Sequence, residues 1–193
     1  MPPVADKHLE ERILRAAQKL WRMRGTGGFT LREIARAAGT TTPTIYQRFR
    51  NKEAIQLALA LRVRDALDAE VFSSATLEDA CRRYLHYAEN NPQEYELIRV
   101  LWPRSAADVP RPIRAWLLSQ LAARFGGQPD EYGEVYYAFV ILCHGAASML
   151  TATEPDSPIR VEIRENCIGV FEKLIANVGI FRARASGHEF NGR

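Results

Sequence analysis

Between Thr30 and Phe49 the chain reads TLREIARAAGTTTPTIYQRF, and the caps, glycine and proline in this stretch decide the fold. Thr30 stands three residues before Glu33, the spacing of a capping box in which hydroxyl and carboxylate satisfy each other's free backbone N–H groups. The helix that follows turns Leu31, Ile34, Ala35 and Ala38 to one side, and Gly39 supplies the left-handed residue that closes it. Thr41 can then cap a third helix, with Pro43 in its first turn, where a missing N–H costs nothing. Ile45 and Phe49 face that helix's core. Two short helices joined by a tight turn make a helix-turn-helix, whose second member enters the major groove of DNA.

Geometry selects the readers. With Ile45 and Phe49 inward, steps of about 100° per residue carry Pro43 and Gln47 to the opposite side, flanked by Thr44 and Tyr46. The amide of Gln47 offers a donor and an acceptor suited to adenine, and the Pro43 ring suits a thymine methyl. Thr42, Thr44, Tyr46, Arg48 and Lys52 carry donors suited to phosphate oxygens, and Thr30 and Thr41 at the two helix starts join the candidate DNA-binding set. Lys52 opens a fourth helix capped by Asn51, where free N–H groups and the helix dipole already favour an anion. The competing reading is structural: Tyr46 packs on the first helix and Arg48 is a solvated charge.

Working outward, Leu9, Ile13, Ala16, Ala17 and Leu20 recur at helical spacing, so a first helix spans about 6–24, stopped by the glycines at 25, 27 and 28. The fourth helix runs from Lys52 to about Phe72. Helical patterns continue over 77–89, 92–102, 113–125, 131–151 and 158–178, with breaks at 90–92, 103–112, 126–127 and 154–158. The expected fold is all-α: an amino-terminal three-helix helix-turn-helix domain, residues 1–52, and a larger carboxy-terminal helical domain, residues 53–193.

Charge divides in the same way. Residues 1–65 hold 13 Lys and Arg against 6 Asp and Glu, whereas the whole chain carries only +3, an asymmetry that points the front toward a polyanion. With 47% hydrophobic and 25% charged residues the chain reads as globular and water-soluble. Its longest apolar stretch, Val135–Leu150, is shorter than the run of about 20 residues that spans a bilayer, and the start of the chain lacks the pattern of a secretory signal, so no membrane and a cytoplasmic location are expected. Cys81, Cys143 and Cys167 are far apart in sequence and read as buried free thiols. With no CxxC pair or His cluster, no metal and no cofactor are expected.

Residues 29–54, FTLREIARAAGTTTPTIYQRFRNKEA, resemble the DNA-binding signature of TetR-type (tetracycline-repressor-type) regulators, matching at Thr30, Ile34-Ala35, Ala38-Gly39, Thr44-Ile45-Tyr46, Phe49 and Lys52-Glu53. Thr40, Thr41 and Pro43 depart from the family's usual Val, Ser and Gly. The resemblance implies that Thr42, Pro43, Thr44, Tyr46, Gln47 and Lys52 occupy positions that touch the operator. It further implies a homodimer through the last two helices, presenting two reading heads to a palindromic double-stranded operator, and a small-molecule effector in the larger domain.

Two features of the larger half fit these implications. The helix around Glu134–Leu150 is apolar nearly all round, with Tyr136, Phe139, Val140 and Cys143 on one face and Ala138, Leu142, Gly145, Ala146 and Met149 on another, which asks for burial on two sides. The middle helices are rich in Tyr and Trp, and Trp102, Trp116, Gln120, Tyr137 and His144 are the candidate effector-lining residues, although each also suits a core position. The expected function is a repressor released by a small apolar or aromatic ligand. The alternatives are an activator or ligand-blind regulator of the same fold, or an all-α carrier or enzyme. The sequence holds no GxSxG, HExxH, Walker or Rossmann motif, and no enzyme is expected.

Overall fold

The computed structural model describes residues 8–25, 28–105 and 112–185. Among these the chain forms ten α-helices and no strand: α1 Leu9–Arg24, α2 Leu31–Ala37, α3 Thr42–Tyr46, α4 Lys52–Phe72, α5 Leu77–Asn90, α6 Pro92–Ser105, α7 Pro112–Phe125, α8 Gly133–Ala152, α9 Ile159–Ala176 and α10 Val178–Ala185. The all-α expectation holds. The helices sort into two compact units, one made of 1–65 with 91–107 and the other of 66–90 with 108–193. The expected boundary after residue 52 lies at the start of α4. That helix runs unbroken past Asp65, where the units divide, and α6 belongs with the first unit because it packs on α1.

In the first unit Ile13, Ala17, Ile34, Ile45, Ile55 and Leu59, from α1 to α4, are wholly buried. Each of the isoleucines and the leucine contributes about 1.5–3 kcal/mol through burial. The Trp21 and Phe29 rings meet edge to face, with centroids 6.3 Å apart. A polar clamp holds the start of α6 on α1. The Trp21 indole donates to the Gln93 carbonyl at 2.6 Å, and Gln18 Nε2 and Arg22 Nε each donate to Oε1 of the buried Glu94 at 2.7 Å.

In the second unit α8 is the central helix, packed on α5, α7 and α9. Phe139 stands between Tyr84 and Phe171, with ring centroids at 6.1 and 5.1 Å. Arg160 bonds the Leu150 carbonyl, and the Thr153 carbonyl at 3.0 Å, satisfying acceptors left open at the end of α8. Arg160 and Arg164 also reach Glu89 at 3.3 and 3.1 Å.

Three boundaries differ from the sequence reading. The expected break at Pro103 lies inside α6, which runs to Ser105; proline falls there in the last turn, where few backbone bonds are left to lose. The expected last helix, 158–178, stops at Ala176. Asn177 leaves helical geometry (φ −113°, ψ 22°), its side chain caps the Lys173 carbonyl at 2.8 Å, and α10 follows. The 3-10 turn Pro129–Tyr132 runs directly into α8, so the helical stretch Pro129–Ala152 is long and apolar enough, by length and composition, to cross a membrane, unlike the shorter run weighed above. Its apolar character also has a packing role, because Tyr136, Phe139, Cys143 and Ala147 are buried.

Packing also gathers the three cysteines. Cys81 on α5, Cys143 on α8 and Cys167 on α9 are buried, and their sulfurs all lie within 4.8 Å of one another, with Cys81 and Cys143 at 3.6 Å. Hydrogen bonds from Cys143 and Cys81 make Cys167 the most readily ionised of the three, while burial pushes the Cys143 thiol up.

Candidate nucleic-acid interface

The helix-turn-helix is built by the local signals that announced it. Glu33 N–H donates to Thr30 Oγ1 at 3.2 Å and Thr30 N–H donates to Glu33 Oε2 at 2.8 Å, so the capping box is complete. Gly39 closes α2 at φ +64°, a region costly for other residues. Thr41 Oγ1 accepts from Thr44 N–H at 3.4 Å and lies 2.8 Å from Thr44 Oγ1. Asn51 Oδ1 accepts from Ala54 N–H at 2.8 Å and starts α4.

These bonds fix which way α3 faces. Ile45 is wholly buried and Phe49 nearly so. Pro43, Gln47, Arg48 and Thr41 are exposed, Tyr46 is 55% exposed, and Thr42 and Thr44 are half-buried. The structure thus gathers Thr41, Thr42, Pro43, Thr44, Tyr46, Gln47 and Arg48 along α3 and the turn after it. The regular helix ends at Tyr46. Gln47 and Arg48 follow in that turn, where Arg48 and Phe49 N–H groups still bond the Ile45 carbonyl at 2.9 Å.

Two features escaped the sequence reading, the Lys52 and Arg24 contacts, whereas capping by Thr30 and Thr41 was expected. The hydroxyls of Thr30 and Thr41 are engaged in capping, Thr30 Oγ1 also donating to Glu33 Oε2 at 2.8 Å. Lys52 is half-buried, with its ammonium 5.4 Å from the centre of the Phe29 ring, a cation–π contact. Arg24 donates to Glu33 Oε1 at 2.6 Å, and with the Thr30 bonds this holds the Glu33 carboxyl down at about 2. The Thr30 and Thr41 hydroxyls were legible as caps from spacing. The Lys52–Phe29 contact depends on tertiary packing and left no mark in the pattern.

The candidate effector residues are scattered by comparison. The Trp116 ring lies 5.7 Å from Phe72, and Gln120 is exposed one turn further along α7. Tyr137 is 54% exposed on α8, beside the buried Tyr136, and His144 is half-buried two turns on. Trp102 falls in α6 at a side chain outside the described residues. An apolar groove of about 490 Å³ between α8 and α9 is lined by other residues, among them Ile141, Gly145, Met149, Ile163, Cys167 and Val170.

A capped helix-turn-helix with a polar, exposed second helix, on an all-helical chain, defines a DNA-binding regulator. Comparison with known proteins agrees. Residues 13–59 match the family described as bacterial regulatory proteins, tetR family. Over 180 residues, 93% of this chain and 78% of the relative, the chain is 28% identical to an uncharacterized HTH-type transcriptional regulator of Mycobacterium tuberculosis strain H37Rv. Among solved structures it is similar to a variant TetR of Acinetobacter baumannii AYE in complex with minocycline (TM-score 0.66, 17% identity, 88% of this chain and 96% of that one). It is also similar to a tetR-family transcriptional regulator of Streptomyces coelicolor (TM-score 0.63, 19% identity, 95% and 93%). Residues 13–59 thus carry a tetR-family DNA-binding segment, and over most of its length the chain is similar to HTH-type and tetR-family transcriptional regulators.

Proposed function

We propose that the chain works in the cytoplasm as a homodimeric repressor that holds a palindromic operator and releases it when a small apolar or aromatic effector binds. The observation that carries the DNA-reading part is the arrangement around α3: Ile45 is sealed in the core while Pro43 and Tyr46 on the helix capped by Thr41, and Gln47 and Arg48 in the turn after it, stand outward. Pro43 and Gln47 read base edges. Thr42, Thr44, Tyr46, Arg48 and Lys52 hold phosphates, with Thr30 and Thr41 supporting them by fixing the two helix starts.

Dimerisation is supported by the open apolar surface of α8 and α9. Tyr137, Ile141 and Met149 on α8 and Ile159, Val161 and Val170 on α9 are between 46% and 69% exposed, a clustering that marks an interaction surface. A second copy packing these helices against their equivalents covers the groove between them and sets two reading heads at a fixed spacing. Tyr137 then belongs to that interface, and Trp102, Trp116, Gln120 and His144 are left as the proposed effector lining. The likeness to a protein crystallised with minocycline supports a small-molecule effector. Such an effector acts by binding one spacing of the heads better than the other, with α4, which starts beside α3, as the lever.

Binding of the purified chain to its own promoter DNA tests this reading. Salt-sensitive, sequence-preferring binding by a dimer is expected, and its absence overturns it.

A further inference from the structure

Three helices of the second unit each contribute one cysteine to a single buried point. Three thiolates bound to one centre at about 2.3 Å stand about 4 Å apart if the centre lies in their plane, and about 3.5 Å apart if it carries a lone pair and sits above that plane. Cys81, Cys143 and Cys167 lie within 4.8 Å of one another, and the Cys81–Cys143 pair at 3.6 Å already has the pyramidal spacing, so the Cys167 sulfur is the one that has to draw in. Soft thiolates select soft, thiophilic centres.

Charge chooses among these. Three thiolates around a monovalent or divalent ion leave a net negative complex, which is costly to hold away from water without a counter-charge. Among the described residues the buried polar or charged side chains are Asp68 and Glu94, with no cation among them, and the Arg82 charge that acts on Cys81 sits on a side chain 49% exposed to water and paired with Glu172. A trivalent centre with three thiolates is neutral. We propose that Cys81, Cys143 and Cys167 form a three-sulfur binding site for a trivalent thiophilic metalloid, As(III) being its simplest member.

The chemistry balances without any oxidant or reductant. Arsenous acid, As(OH)₃, exchanges three As–O bonds for three As–S bonds, and each hydroxide leaves as water with one thiol proton. The acid is neutral and small, and Cys167, though buried, lines the groove between α8 and α9, which gives the cluster a path from the surface of the chain. That groove is also the surface assigned to the second copy. Loading is therefore slow in the dimer and must be read at equilibrium. The site goes beyond the DNA-reading function and does not depend on it.

The test is an anaerobic titration of the reduced full-length protein with sodium arsenite. One As(III) per chain, loss of three titratable thiols on binding, and an arsenic X-ray absorption spectrum with three sulfur neighbours are expected. Each of Cys81→Ser, Cys143→Ser and Cys167→Ser should weaken binding at least tenfold, and Zn(II) should bind the wild-type protein less tightly than As(III). Fewer than three sulfur neighbours, no binding, undiminished binding by a folded serine variant, or a preference for Zn(II) overturns the proposal. If a variant loses its helical circular dichroism, the wild-type absorption spectrum decides alone.

Discussion

Thr30 and Glu33 hold the start of α2 from both directions, Glu33 N–H bonding the Thr30 hydroxyl at 3.2 Å and Thr30 N–H bonding the Glu33 carboxylate at 2.8 Å. Loss of such an N-cap costs about 1 kcal/mol. Thr30→Ala is expected to lower stability by that order in chemical denaturation, and Thr30→Ser to retain most of it.

The same pair makes the head sensitive to acid. The Arg24 hydrogen bond, followed by those from Thr30, holds the Glu33 carboxyl at about 2, against 4.5 for an ordinary glutamate. A carboxylate whose folded pKa lies below its unfolded one contributes stability that is complete above the unfolded value and lost as pH falls through the folded one. Thermal unfolding followed between pH 5 and pH 2 should therefore show a steeper fall in midpoint for the wild type than for Glu33→Gln, which has no carboxylate to protonate.

On the reading surface, Tyr46→Ala is expected to abolish operator binding while leaving the thermal midpoint nearly unchanged, since the side chain is 55% exposed. Gln47→Ala should relax base preference at one position by about 1–3 kcal/mol, measured on a panel of substituted operators. Lys52→Ala differs from both. It removes a phosphate donor, lowering the salt slope by about 1, and it also strips the cation from Phe29, so a small loss of stability accompanies it.

The clamp between α1 and α6 gives a contrast between two partners of one carboxylate. Glu94 is buried, while the Arg22 side chain is 60% exposed. Glu94→Ala leaves the half-buried Gln18 without its acceptor, and a loss of about 1–3 kcal/mol in denaturant unfolding is expected. Arg22→Ala removes only an exposed ion pair and should cost under about 1 kcal/mol.

For the open face of α8, Ile141→Asp places a charge where 69% of an isoleucine is exposed in the single chain. Sedimentation should show a dimer for the wild type and a monomer for the variant, with helical content retained. A variant that stays dimeric removes α8 from the interface.

How much of this was legible in the sequence follows from how local each signal is. The capping box, the Gly39 stop, the Thr41 and Asn51 caps and the inward Ile45 and Phe49 depend on residues within four positions of one another, and all appear where their spacing put them. The exposed face of α3 followed from helical geometry alone. The break at Asn177 was hidden because apolar spacing continues on both sides of it, in Phe171, Ile175 and Val178. The cysteine cluster was hidden for a different reason: its members lie on three helices, 62 residues apart in one pair, and only tertiary packing brings them together. The effector residues, mostly aromatic, were chosen by residue type, and type does not say which side of a helix packs inward, as the buried Tyr136 and the exposed Tyr137 show.

The central claim is that the face of α3 opposite Ile45 reads DNA. Titrating the purified protein against its own promoter fragment at several salt concentrations, beside Tyr46→Ala, tests it most directly. Affinity that falls linearly with salt on logarithmic axes, and that vanishes in the folded Tyr46→Ala variant, is the expected result. Binding by that variant equal to the wild type, or no salt-sensitive binding by either, would contradict it.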